Sequence, residues 1–252
     1  MITIKETKIE ETPVLFVEDA HKQDHALPTV IYYHGFYGQK QDSLTIAYNI
    51  AKSGIRIILP DAYMHGARRG DLSRQQIDLS FWQIVMQNVK EIKAIYDYLL
   101  KHKLIIKGET KIGLGGTSMG GITTSAALTT YDWLDAGAVV MGSPNLADFA
   151  HLLIDNFNKA AKEPIPEALV QETLNSIQAI DLAQHPEKLQ DRPLLFWHGT
   201  NDQVVPTYLS ETFYEKHQTD YMRYVKEAGR AHNVSRLAVQ ETSDWFKKHL
   251  LP

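Results

Sequence analysis

The sequence contains no cysteine, which excludes disulfides, a thiol nucleophile and any cysteine-ligated zinc site. Long hydrophobic runs are missing too. No apolar stretch approaches the 18 residues expected of a membrane-spanning helix, and Met1-Ile2-Thr3-Ile4-Lys5-Glu6 lacks the basic-then-apolar build of a secretory signal. Nor is positive charge in excess. Lys and Arg number 26 against 30 Asp and Glu, a formal charge of −4, where a nucleic-acid binder presents a basic face. No repeat, low-complexity tract or linker interrupts the chain. These absences lead us to expect a cytoplasmic protein without nucleic-acid or membrane partners. The 252 residues, 44% of them hydrophobic, suffice to bury a full core.

The hydrophobic pattern alternates between short β-branched runs and longer segments of helical period. Ile2 to Glu10 and Val14 to Glu18 read as a β-hairpin around Thr12-Pro13. Strands are then expected at Thr29–Tyr33, Ile55–Leu59, Lys111–Gly115, Ala138–Met141, Leu194–Trp197 and Met222–Val225. Helical patterns lie near Ser43–Lys52, Ser80–Lys101, Ile122–Leu128 and Val234–Leu250, and a long loop is expected from Ala62 to Arg74. Such alternation predicts an α/β fold with a doubly wound, mostly parallel sheet, because parallel strands need crossover connections. One segment breaks the rhythm. Residues 144–192 hold two amphipathic stretches, Leu146–Phe157 and Pro166–Ile180, and no strand. We read a single domain over residues 1–252 with a small helical cap at 144–192; the alternative is a helical pair that merely covers one sheet face.

The most informative motif is Gly116-Thr117-Ser118-Met119-Gly120, between the strand at 111–115 and a helix-forming run. A serine flanked by glycines at a strand-to-helix corner is the nucleophile-elbow pattern. The corner is tight enough to force a strained backbone at its centre and to exclude side chains two positions away. A serine hydroxyl needs a base to take its proton, and the base needs a carboxylate to orient it. In a doubly wound sheet these follow in the order Ser, acid, His. Asp202 stands shortly after the strand at 194–197, and His232 shortly after the strand at 222–225. Each has a duller reading: a turn aspartate capping a helix near Pro206, and a loop histidine among 11. Their order, on the rim where open α/β sheets bind ligands, favours the catalytic one. The backbone N–H groups of Phe36 and Met119 are the expected oxyanion donors, whereas His34 and His198, at strand ends, suit structural roles.

Taken together, His34-Gly35, Gly-Thr-Ser-Met-Gly at 116–120, Gly199-x-x-Asp202-x-x-Val205-Pro206 and Gly229-x-x-His232 resemble the α/β-hydrolase superfamily. The closer similarity is to its small bacterial carboxylesterases, in the dienelactone-hydrolase and prolyl-oligopeptidase-like branch. That resemblance covers about Thr29 to Leu250 and implies a serine esterase with a Ser118, His232, Asp202 triad. The chain departs from dienelactone hydrolases proper, which use cysteine, and carries no propeller like that of the oligopeptidases. Tyr37, Met64, Arg68, Arg69 and Trp82 are candidate substrate contacts. Arg68 or Arg69 would grip a carboxylate or phosphate, unless paired with Asp61, Asp71 or the cap; Trp82 is alternatively core. No metal site and no cofactor are expected, and His65 has no second ligand at helical spacing. The expected partner is a small ester. A thioester, acyl-transfer or amide reaction on the same triad, or a ligand sensor that keeps only the fold, are the alternatives. Oligomeric state stays open.

Overall fold

A computed structural model describes residues 1–160 and 164–252. Strands β1 (Ile2–Ile9) and β2 (Thr12–Asp19) pair antiparallel as the expected hairpin. After β3 (Thr29–Tyr33), the chain forms α1 (Leu44–Ala51) and returns as β4 (Arg56–Pro60). A short helix, α2 (Arg74–Leu79), precedes the long α3 (Phe81–Lys101). Next come β5 (Ile112–Thr117), α4 (Met119–Thr130) and β6 (Ala136–Val140), then α5 (Leu146–Ala160) and α6 (Glu167–Gln178) with no strand between them. The chain closes through β7 (Leu194–Gly199), α7 (Tyr208–His217), β8 (Met222–Glu227) and α8 (Arg236–Leu250).

All eight strands form one sheet in the order β1-β2-β4-β3-β5-β6-β7-β8. β2 joins β4 antiparallel, and every pairing from β4 onward is parallel. This is the α/β-hydrolase architecture. The central strands are buried on both faces, and the period of two sends alternate side chains to opposite sides. Val30 and Tyr32 of β3, with Ile57 and Leu59 of β4, join Ile46 and Ile50 of α1 and Trp245 and Phe246 of α8. Ile31, Tyr33 and Ile58 point the other way, into the layer holding Ile92 and Ile95 of α3 and Ile122 of α4. Among the described residues no helix is long and apolar enough to cross a membrane.

Two departures from the sequence reading bear on the site. The expected loop before α3 contains α2, started by Ser73, whose hydroxyl accepts from the Gln76 amide while the Gln76 side chain accepts from the Ser73 N–H. That Ser-x-x-Gln capping box was present in the sequence as a start signal. β6 also begins at Ala136, two residues earlier than expected, because Ala136 and Gly137 continue the ladder with β5. Residues 161–163 of the expected cap lie outside the described residues.

Candidate active site

Every loop that follows a parallel strand at its C-terminal end meets at one rim. The innermost is the turn from β5 to α4. Ser118 sits there with φ 56° and ψ −115°, a left-handed φ that a side-chain-bearing residue adopts only when its surroundings impose it. The surroundings are plain. Its N–H donates to the Val140 carbonyl at 2.8 Å and its own carbonyl accepts from the Ile122 N–H at 3.0 Å. A β-carbon on Gly120 would stand 2.2 Å from the Tyr33 oxygen, and one on Gly116 2.2 Å from the Gly120 carbonyl carbon. Only hydrogen fits at either position, so helix α4 is drawn onto β3 and β5 and Ser118 is lifted into the corner.

The Ser118 hydroxyl lies 2.8 Å from His232 Nε2, and His232 Nδ1 lies 2.6 Å from Asp202 Oδ2. Asp202 is fully enclosed, and its carboxylate collects further donors. Oδ1 accepts from the Val204 and Val205 N–H groups at 2.9 and 3.0 Å, and His198 Nε2 stands 3.2 Å from Oδ2. Burial by itself would raise this carboxyl. The bonds from His198, His232 and the Val205 amide outweigh it and hold Asp202 well below the usual carboxylate range. An ionised carboxylate only accepts, so His232 Nδ1 carries a proton and Nε2 offers its lone pair to the Ser118 hydroxyl. The loops bearing Asp202 and His232 are laced together: Asn201 N–H donates to the Arg230 carbonyl at 2.9 Å, and Thr200 N–H to the Glu227 carbonyl at 3.0 Å.

The loop after β3 closes the other side. A β-carbon on Gly35 would come 3.5 Å from that of Ser118, so the chain passes directly against the serine. His34 fixes the loop, its Nδ1–H donating to the Gly35 carbonyl at 2.7 Å while Nε2 accepts from the Ala62 N–H at 3.0 Å. Burial pushes its pKa down to about 4, so it is a neutral brace. Met119 occupies the first position of α4, where no intrahelical acceptor exists for its N–H. Among the described residues no acceptor is found for the Phe36 N–H either. His198 is also a brace, bonded to the Val205 carbonyl at 2.8 Å.

Beside Ser118 opens a cavity of about 340 Å³. Phe36, Phe81 and Trp82 form one wall, and Phe149 and Leu153 of α5 with Val170 of α6 form another. Of the five candidate contacts only Trp82 reaches it. Tyr37 turns away to donate its hydroxyl to Asp78, with the Arg74 guanidinium 4.7 Å from its ring centre. Met64 packs against the core, and Arg69 is exposed outside the lining. Arg68 corrects the expectation of a substrate-gripping guanidinium. It makes a two-pronged bond to Glu91 of α3, 2.7 Å on each prong, and a third to the Asp61 carbonyl at 3.2 Å. Neither Asp61 nor Asp71 supplies a carboxylate to it. Glu91 was missed because its partner lies 23 residues away on a helix face that the period alone marks as buried. Asp61 instead takes the Lys40 ammonium at 2.7 Å and the Lys40 and Ala67 N–H groups, tying the loops after β3 and β4 together. Among the described residues no cluster of three His, Cys, Asp or Glu is placed to hold a metal.

Residues 83–251 match the prolyl oligopeptidase family. YitV of Bacillus subtilis (strain 168) is 38% identical over 257 residues, covering 99% of this chain and all of that one. Esterase YjfP of Escherichia coli (strain K12) is 30% identical over 99% of this chain and all of its own. Among solved structures, that of TT1662 from Thermus thermophilus superposes with a TM-score of 0.78 over 100% of this chain and 99% of its own, at 17% identity; this last likeness speaks to the fold. With a strained serine at the strand-to-helix corner and full-length similarity of this order, the chain belongs to the prolyl oligopeptidase family and is a serine hydrolase of the α/β-hydrolase fold.

Proposed function

We propose that this protein cleaves small carboxylic esters through an acyl-enzyme on Ser118. The observation that carries the reading is the continuous hydrogen-bonded line from the Ser118 hydroxyl through His232 to the ionised Asp202, opening onto an apolar cavity. Ser118 Oγ attacks the ester carbonyl while His232 Nε2 takes its proton. Asp202 holds the imidazole in the accepting tautomer and stabilises the imidazolium. The Phe36 and Met119 N–H groups receive the oxyanion, each such donor being worth roughly a hundred- to a thousand-fold in rate. His232 returns the proton to the leaving alcohol, and water, activated by the same imidazole, releases the acid. Residues 144–192 serve as a cap within a single domain, a role supported by Phe149, Leu153 and Val170 in the cavity wall.

The test is Ser118→Ala on a short-chain aryl ester. Turnover is expected to fall by at least about 10⁴-fold, and a fluorophosphonate is expected to label the native protein at Ser118 alone. A variant that keeps most of its activity would remove the mechanism. A native, folded protein that refuses the label would favour a ligand sensor. Matched thioester and anilide substrates complete the assay, and a faster anilide than ester rate would redirect the reading to amide hydrolysis.

A further inference from the structure

The chemical character of the cavity narrows the substrate. Of its lining side chains among the described residues, Asp78, Ser118 and Thr173 are polar, Trp82 carries one indole N–H, and none is cationic. Arg68 and Arg74 are committed elsewhere: Arg68 to Glu91, and Arg74 to the ring and hydroxyl of Tyr37. The single charge at the edge is the carboxylate of Asp78, at the end of α2. The far wall is aromatic. Phe81 meets Trp82, Phe36 and Phe149 edge to face, with ring centres 5.2 to 5.9 Å apart, an arrangement that locks the rings and whose one donor is the Trp82 indole N–H.

From this we infer that the substrate is an uncharged ester whose bulkier half is an apolar group, and that esters bearing a carboxylate on that half are rejected. Rejection follows from desolvation: an ionised carboxylate entering this space loses much of its water, finds no cation among the described residues and faces Asp78. This inference rests on the proposed Ser118 chemistry and adds a prediction of its own. Thr173, half-buried on α6, is a polar lining position from which a cation would reach the cavity without removing an apolar side chain from its wall.

The experiment uses two matched pairs of esters. In one pair the six-carbon acyl chain ends in a methyl group or a carboxylate; in the other the same change is made on the alcohol. We expect kcat/KM to favour the neutral member at least a hundredfold in the pair whose varied half enters the cavity. Thr173→Arg is expected to shrink that ratio at least tenfold, the ratio being taken within one variant so that any general loss of activity cancels. Neutral and anionic members within threefold of each other in both pairs would overturn the inference, as would a ratio unmoved by Thr173→Arg in folded protein. An acetate ester hydrolysed by the native protein but not by Ser118→Ala separates the two levels. If that difference is seen and the ratios are flat, only the substrate inference fails; if Ser118→Ala still turns over acetate, the mechanism beneath it fails.

Discussion

Asp202 is the residue on which the hydrogen bonds of the site converge. The Val204 and Val205 N–H groups point at Oδ1 and the His232 N–H at Oδ2, with His198 Nε2 3.2 Å from the latter, an arrangement that only a full carboxylate satisfies. Asp202→Asn would set an amide NH₂ against two of those donors. Whichever way the amide turned, either His232 would lose its acceptor or the Val204–Val205 turn would. In the first case His232 shifts its proton to Nε2 and can no longer accept from Ser118. A loss in kcat of about 10⁴-fold is expected, the magnitude seen when this carboxylate is neutralised in related triads; steady-state kinetics beside the fluorophosphonate labelling rate would measure it. His34 makes a different prediction, about stability. Its folded pKa is about 4 against 6.5 for an unburied histidine. Between those values the unfolded chain binds the proton and the native protein does not, so acidification from pH 6.5 to 4 favours unfolding. The contribution is on the order of 3 kcal/mol, at about 1.4 kcal/mol per unit. Chemical denaturation of His34→Gln, in which the amide oxygen and nitrogen stand in for the two ring nitrogens, should show a shallower loss of stability across that window than the native protein. Equal slopes would mean that His34 is protonated in the folded state.

At the scale of elements, the decisive contact is between α4 and the strands beneath it. Gly120→Ala would drive a methyl group into the Tyr33 backbone oxygen from 2.2 Å away, and neither partner is a side chain that can swing aside. We expect a loss at the upper end of the overpacking range, about 3 kcal/mol, together with a displaced Ser118. Urea denaturation and labelling by a fluorophosphonate would report the two effects separately. This contact was legible in the sequence, because glycine spacing around a serine states a steric requirement directly. The sheet was legible for a similar reason: Val30–Tyr33 and Ile57–Leu59 are runs that only a strand buried on both faces tolerates. What remained hidden depended on residues distant in sequence. The Arg68–Glu91 pair joins a loop to the middle of α3, and nothing in either segment names the other. The cavity wall was hidden too, since Phe81 of α3 and Phe149 of α5 share an apolar period with ordinary core residues until folding brings their rings to 5.9 Å. Helix α2 was the exception, a feature that its own capping box announced.

Over the whole molecule, the two ends of the sheet divide the work. The C-terminal ends carry Ser118, Asp202, His232 and the loop of Phe36, held by strain and by networks that leave little freedom for repacking. The opposite end is fastened by Arg56, at the first position of β4 and fully buried. Its guanidinium bonds Glu18 of β2 at 2.5 Å, the Leu104 carbonyl at 2.8 Å and the Gln23 and His25 carbonyls at 2.9 and 3.1 Å. One side chain thereby collects the connection after β2, the turn after α3 and the hairpin edge. Burial raises the Glu18 carboxyl even with Arg56 beside it, so the pair has given up much of its hydration. Arg56→Met should therefore destabilise the protein by about 3–5 kcal/mol, the range for breaking a buried pair from one side. Pairing it with Glu18→Leu should recover only the share due to the stranded carboxylate, since the Gln23 and His25 carbonyls stay without a donor and Leu104 keeps only that of Leu27. Arg56 lies about 16 Å along β4 from Asp61, at ~3.3 Å per residue, so kcat of the folded fraction should match the native value in both variants. Denaturant midpoints and active-site titration on the same samples make the comparison. A double variant restored to full stability would show that the carbonyls find water once the guanidinium is gone, and a fall in kcat at full active-site occupancy would show that the two ends of the sheet are mechanically coupled.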